Sequence, residues 1–376
     1  MNIRADQNRL IENFMLLAQI KSFSGEEKEI AAILVSILER INAFIVKGKK
    51  GSSMSISVDD TGNIYALLPG NRDSFKPVIL CCHMDTVLPG KEIKPIIKDG
   101  IITNESFGIL GADDKAGIAA VIELLQIIAE NDLPHGDIEI IFTVMEEAGM
   151  AGSKSFDYKK LKSKNAYVLD GSMRPGFLTK AAPYKNRINI TITGKASHAG
   201  VTPEKGISSI QVAAKAISNM KLLRIDDITT ANIGTISGGT GENVVCSEVV
   251  MKAEVRSHDL KRLEEQTKHM QECIDNAALY YGAKAEFDFQ LLYPGYSIPE
   301  NDYLVHCFRE ACNKSGLEFG TCISGGGSDA NIFNKSGIKA AVVGIGMKNP
   351  HSEKESISVK DLTDTADLLV NLIGTV

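Results

Sequence analysis

Two hydrophobic rhythms alternate along this chain. Apolar positions three and four apart predict amphipathic helices over about residues 7–20 and 26–41. Ser24-Gly25 introduces the second, with acids in its opening turn as the helix dipole favours. A period of two follows over 55–68, broken at Asp60-Thr61-Gly62-Asn63, which reads as a hairpin. The apolar run 77–82 is of the kind that forms a strand buried on both faces. A second hairpin is expected around Lys98-Asp99-Gly100, then a helix over about 115–130, a buried strand over 137–145 and another over 165–169. Strands alternating with helices predict a mainly parallel mixed α/β sheet flanked by helices, whose ligands gather beyond the carboxyl ends of the strands.

The pattern changes near Tyr184. Residues 187–193 alternate as a half-buried strand. A helix over 206–223, strands over 231–236 and 244–255, a helix over 260–281 and a strand over 284–292 follow. This β-α-β-β-α-β order is that of a ferredoxin-like α+β domain. It reads as an insertion, because a helix (302–314), a glycine loop at Gly325-Gly326-Gly327, a strand (339–345) and a helix (359–373) then resume the earlier style. The expected division is 1–183 with 294–376 as one discontinuous domain and 184–293 as the inserted one. At 376 residues, two domains are the natural expectation.

Composition narrows the class. Hydrophobic content of 44% with 23% charged residues fits a globular protein, and no apolar stretch approaches the roughly 20 residues of a membrane span. The opening residues, with Arg4, Asp6 and Glu12, lack the apolar core of a signal peptide. A net charge of -6 argues against nucleic acid as a partner, and Lys47, Lys49 and Lys50 read as a solvated loop. The seven cysteines show no Cys-x-x-Cys spacing, so reduced thiols and a cytoplasmic location are expected.

The chemistry lies at the strand ends. His83 closes one apolar run, Glu146 and Glu147 another, Asp170 a third, and His351 follows the last strand; Asp113 sits just before a helix. Singly, each has an ordinary explanation: a strand-end histidine, a helix-capping Asp, two surface acids, a turn histidine. Together they supply the imidazoles and carboxylates that a pair of divalent ions needs. His83-x-Asp85 lets the imidazole bind metal while Asp85 accepts its other N–H, and Asp113 offers one oxygen to each ion. Paired ions acidify a water and polarise a carbonyl, and a nearby carboxylate takes the proton. His, Asp and Glu without Cys favour zinc, with cobalt or manganese also suited.

His83-Met84-Asp85-Thr86, Gly111-Ala112-Asp113-Asp114-Lys115-Ala116-Gly117, Glu146-Glu147, Leu169-Asp170-Gly171, Ser197-His198-Ala199-Gly200, Gly325-Gly326-Gly327-Ser328-Asp329 and His351 occur in that order. The set resembles the peptidase T (tripeptide aminopeptidase) branch of the co-catalytic dimetal exopeptidases, which include aminoacylases and glutamate carboxypeptidases. The resemblance implies that two zinc ions are held by His83 with Asp170 and by Glu147 with His351, bridged by Asp113, whose following peptide bond is cis. It implies Glu146 as general base and Asp85 as the partner of His83. It also implies a lid that closes over the site and mediates a homodimer, with His198 stabilising the oxyanion. Asn243, Arg256, Gly326 and Gly327 would contact substrate; Arg256 has a salt bridge within the lid as its alternative. The chain departs from that branch in Ser328, where Thr is usual, and in Val144-Met145 before the acidic pair. A short peptide is thus the expected substrate, with N-acyl amino acids (an amidohydrolase or carboxypeptidase activity) as the alternative. A metal-binding relative without activity would have no need of Glu146.

Overall fold

The computed structural model describes residues 3–48, 53–88 and 90–376. Its backbone contacts cluster into two units. One comprises the chain to Ala181, Ser297–Ile323 and Ser328–Val376; the other comprises Ala182–Tyr296 with Ser324–Gly327.

The first unit is built on a sheet that is nine-stranded among the described residues. Its centre is Ile138–Thr143, Val78–His83, Asn165–Gly171 and Lys339–Gly344, side by side and parallel. Every residue of Val78–His83 and Ile138–Thr143 is buried, as a continuous apolar run demands when helices cover both faces. Helix Ala112–Asn131 packs on two of these strands and on the helices Gln7–Gln19, Lys28–Gly48 and Val359–Ile373. It is apolar nearly all round and almost wholly buried, which is the mark of a core helix. Helix Asp329–Lys335 packs on Lys339–Gly344 and Asn165–Gly171. Antiparallel strands finish the edges, with the expected hairpin Ser55–Val58 and Ile64–Leu68 on one side.

The second expected hairpin, Pro95–Lys98 with Ile101–Asn104, belongs to a separate small sheet completed by Ser356–Ser358. That places the His351 turn close to the segment leading into Asp113. Strands Phe177–Ala182 and Gly320–Ile323 were not foreseen; both are short and lack a clean alternation. Helix Lys28–Gly48 runs a further two turns beyond the expected end, so Lys47 is helical and exposed, where a cation complements the helix dipole. Lys49 and Lys50 lie outside the described residues, as do Met1 and Asn2. All seven cysteines are unpaired. Among the described residues no helix is long and apolar enough to cross a membrane.

The second unit has the ferredoxin-like pattern. Its sheet runs Leu223–Arg224, Thr229–Gly238, Glu248–Ser257, Tyr184–Thr193, Lys284–Tyr293, antiparallel throughout. Ile188, Ile190 and Ile192 point into a core with Val212, Met251, Met270 and Ile274, while Arg187 and Asn189 are exposed. The alternation therefore holds, although the strand starts at Tyr184 rather than at 187. Two other limits differ. The expected helix over 206–223 is Ser209–Asn219, because the Ser208 hydroxyl caps it by accepting the Gln211 N–H. The strand expected from 244 begins at Glu248; residues 241–247 form a turn and a bridge to the His198 segment.

Candidate metal centre

Parallel strands end at a common edge, and that edge carries the chemistry. His83 is the last residue of its strand, Asp170 is near the end of its own, and Glu146-Glu147 follow Ile138–Thr143 after a turn in which Met145 has φ +51°. Asp113 precedes the regular part of its helix and is joined to Asp114 by a cis peptide bond. His351 sits on a turn with φ +62°, a left-handed conformation disfavoured for a side-chain-bearing residue and found where surroundings enforce it.

Asp113 organises the group. Its Oδ1 lies 2.9 Å from His83 Nε2 and its Oδ2 lies 3.0 Å from His351 Nε2. Asp170 Oδ1 is 3.8 Å from the same His83 nitrogen, and Glu147 Oε1 is 2.5 Å from the same His351 nitrogen. Two half-sites thus share one carboxylate. Donor atoms of His83, Asp113 and Glu147 lie within 4.8 Å of one another; this trio spans both halves, as sharing requires.

Asp85 is a brace. The His83 Nδ1 is 2.9 Å from the Asp85 backbone carbonyl and 3.4 Å from its carboxylate, so the carbonyl, rather than the expected side chain, is the nearer partner. Either contact turns Nε2 towards Asp113. The Asp85 carboxylate instead accepts the backbone N–H groups of Glu146 (2.9 Å) and Glu147 (3.1 Å) and the Ser24 hydroxyl (2.6 Å). Sequence reasoning missed two further carboxylates of this kind. Glu27 accepts the Met145 N–H, and Glu355 accepts three N–H groups of the segment ending at Asp113. Both act on backbone distant in sequence and leave no local pattern.

The electrostatics test whether metal fits. Asp85, Asp113, Asp114, Glu146 and Asp329 are buried and Glu147 and Asp170 half-buried, yet no Lys or Arg pairs with them among the described residues. Asp114 Oδ1 and Asp329 Oδ1 have no hydrogen-bond partner at all. Burial, then the nearby Asp113 charge, pushes Asp170 up to about 7. Burial and Asp170 raise Glu146 well above the usual carboxylate range. His351 is raised to about 10 by its bonds to Asp113 and Glu147. His83 is raised too: burial opposes this, but Asp113, Asp170 and Asp85 prevail. Asp113 is held low against its burial by His351 and His83. The cluster recruits protons because it has too much negative charge, and divalent cations relieve that excess in the same way. Two donors bound tetrahedrally to one zinc stand about 3.3 Å apart; the separations above straddle this. The residues fit.

The remaining candidates lie in the second unit. His198 is exposed and its Nδ1 accepts the Gly200 N–H at 3.2 Å. Ala199 N–H donates to the Asn243 carbonyl at 2.9 Å, which joins the two segments. Arg256 forks onto Glu254 (2.8 and 3.2 Å) and donates to the Gly325 carbonyl at 3.1 Å. The salt bridge weighed for Arg256 is therefore present. Gly327 cannot carry a side chain unless its surroundings shift, since a Cβ would meet the Tyr293 ring at 2.4 Å; a Cβ on Gly326 would make only ordinary contacts, with Ser324 Oγ at 3.6 Å and Arg256 at 4.0 Å.

Clustered imidazoles and carboxylates at the C-terminal edge of a parallel sheet define a centre suited to divalent cations in a hydrolase. Sequence comparison agrees and goes further: residues 79–375 match the model of peptidase family M20/M25/M40, and the chain belongs to that family. It is similar to a tripeptidase from Staphylococcus aureus (TM-score 0.92, 37% identity, 99% of this chain and 98% of that one). It is similar also to the aminopeptidase PepT from Bacillus cereus (TM-score 0.88, 39% identity, 98% of each chain). An uncharacterized protein, YqjE, from Bacillus subtilis is 38% identical over 98% of each chain. The protein is a peptidase T-like member of the family and a peptide-bond hydrolase.

Proposed function

We propose that this peptidase removes the N-terminal residue of short peptides with the help of two divalent ions, zinc by the nature of the donors. His83 and Asp170 would hold one and Glu147 and His351 the other, with Asp113 between them. The observation that carries this reading is the division of Asp113, whose two oxygens address two different imidazoles at 2.9 and 3.0 Å. When bound, such a pair supplies Lewis acidity, acidifying a water and polarising the scissile carbonyl. Glu146 takes the proton from that water and delivers it to the departing amine. Asp85 keeps Glu146 and Glu147 in place through their backbone N–H groups. His198 donates to the developing oxyanion. Asn243, Arg256 and the Gly326-Gly327 loop receive the rest of the peptide, Arg256 through whichever donors Glu254 leaves available. In this reading the second unit is the lid and the dimerisation surface, and the enzyme works in the cytoplasm.

The test is a panel of di-, tri- and longer peptides, free or N-acetylated, assayed with and without chelator. Release of the first residue from free tripeptides, abolished by chelation, is expected. Turnover confined to the N-acetylated members would replace the aminopeptidase with an N-acyl amino acid hydrolase. No turnover of any member by metal-loaded protein would end both readings. Phe289 is an exposed apolar residue on Lys284–Tyr293, an edge strand of the second unit; wild type is expected to sediment as a dimer and Phe289→Asp as a monomer, and a monomeric wild type would end the dimer reading.

A further inference from the structure

We propose that Glu355 is a positioning residue for the paired-ion centre: it locks the bridging Asp113 against His351 and so assembles the half-site formed by Glu147 and His351. The inference rests on the metal reading above.

Residues 110–113 precede the regular turns of their helix, so their N–H groups have no partners within it. Gly111, at φ +75°, curls the segment so that successive N–H groups converge. A concavity of that form binds an anion. Here the anion belongs to the chain itself. Glu355 Oε2 accepts from Leu110 (2.7 Å) and Gly111 (3.0 Å), and Oε1 accepts from Asp113 (3.1 Å). The side chain is 2% exposed, so both oxygens are committed.

The other end of Glu355 is tied to the His351 turn. Its N–H donates to the Ser352 carbonyl at 3.0 Å, and the adjoining Ser356 exchanges backbone bonds of 3.0 and 2.8 Å with Lys348. These bonds close the turn on which His351 is held at φ +62°. One buried side chain therefore spans the two loops that carry Asp113 and His351. The two ligands meet at 3.0 Å between Oδ2 and Nε2. One of the three N–H groups that Glu355 holds is that of the bridging ligand itself. His83 and Asp170 are held by strands, and their half-site depends on Glu355 only through Asp113.

Glu355→Gln keeps the shape but places an amide NH2 against backbone donors, which leaves a buried N–H unmet. Metal-free wild type, Glu355→Gln and Glu139→Gln are titrated with zinc by calorimetry, and the same metal-free samples are melted. Glu139 is a buried carboxylate that accepts the Lys162 and Ser163 N–H groups away from the ligands, and it serves as the control. Wild type is expected to bind two ions. In Glu355→Gln one of the two should weaken by roughly 10–100-fold and the other, whose His83 and Asp170 are held by strands, by much less; Glu139→Gln should lower the melting temperature with both affinities intact. If Glu355→Gln behaves like the control, Glu355 is a structural residue only and the proposal is wrong. Should Glu355→Gln fail to fold, Glu355→Asp, which retains the charge on a shorter arm, must show the same split or the proposal falls. A wild type that takes up no zinc overturns the metal reading itself, and with it the role given to Glu355.

Discussion

The two units present their chemistry in opposite ways. In the first, carboxylates and imidazoles crowd a buried strand edge with no Lys or Arg to balance them among the described residues, and their charge states are strongly displaced. In the second, His198 is exposed and Arg256 is already satisfied by Glu254. An unbalanced buried cluster demands an outside partner, since burial of uncompensated charge is costly. A satisfied or solvated residue demands nothing. Changes in the first unit should therefore remove metal or chemistry outright, whereas changes in the second should tune turnover with metal retained.

The sharpest way to break this contrast is Glu146→Ala. Turnover should fall by roughly 10²–10⁴-fold with zinc content unchanged; an active variant would take Glu146 out of its role. His198→Ala comes next, with kcat lowered by about 10²–10³-fold and both ions still bound. If it lost metal, the second unit would be part of the binding set and the contrast would fail.

A pH titration of zinc affinity sharpens the first half. The ions need His351 and Asp170 free of protons, and these groups hold theirs up to about 10 and about 7 respectively in the metal-free protein. Metal uptake must then release protons, and affinity must weaken as pH falls. The decline should exceed about a hundredfold from roughly pH 8 to roughly pH 6, and calorimetric heats should depend on the buffer's ionisation enthalpy. Flat affinity across that span would contradict the described electrostatics. The smallest effect is expected of Arg256→Ala, because Glu254 already occupies part of its fork. KM for tripeptides should rise about tenfold with kcat nearly constant, and loss of kcat instead would mark Arg256 as acting on the reacting atoms.

The contrast also explains what the sequence made legible. Helices 260–281 and 359–373 stand as expected, because Asp259 and Ser358 cap their starts and Gly282, at φ +71°, ends the first of them. The central strands were readable from unbroken apolar runs, and the ligand candidates from their position at the ends of those runs. Strands Phe177–Ala182 and Gly320–Ile323 were not, since neighbours rather than their own pattern place them in the sheet. The braces Glu27 and Glu355 were hidden for a related reason. Each acts on backbone more than a hundred residues away, a contact that no local spacing can encode. The Asp85 brace was half legible: its nearness to His83 follows from two residues of spacing, but its hold on Glu146 and Glu147 follows only from the fold.

The most direct test is anomalous diffraction at the zinc edge from crystals grown with zinc. Two peaks about 3.5–4 Å apart are predicted, one against His83 and Asp170 and the other against Glu147 and His351, with an Asp113 oxygen on each. A zinc-bearing crystal with no peak at this edge, or with a single ion that leaves Asp113 unshared, would contradict the account.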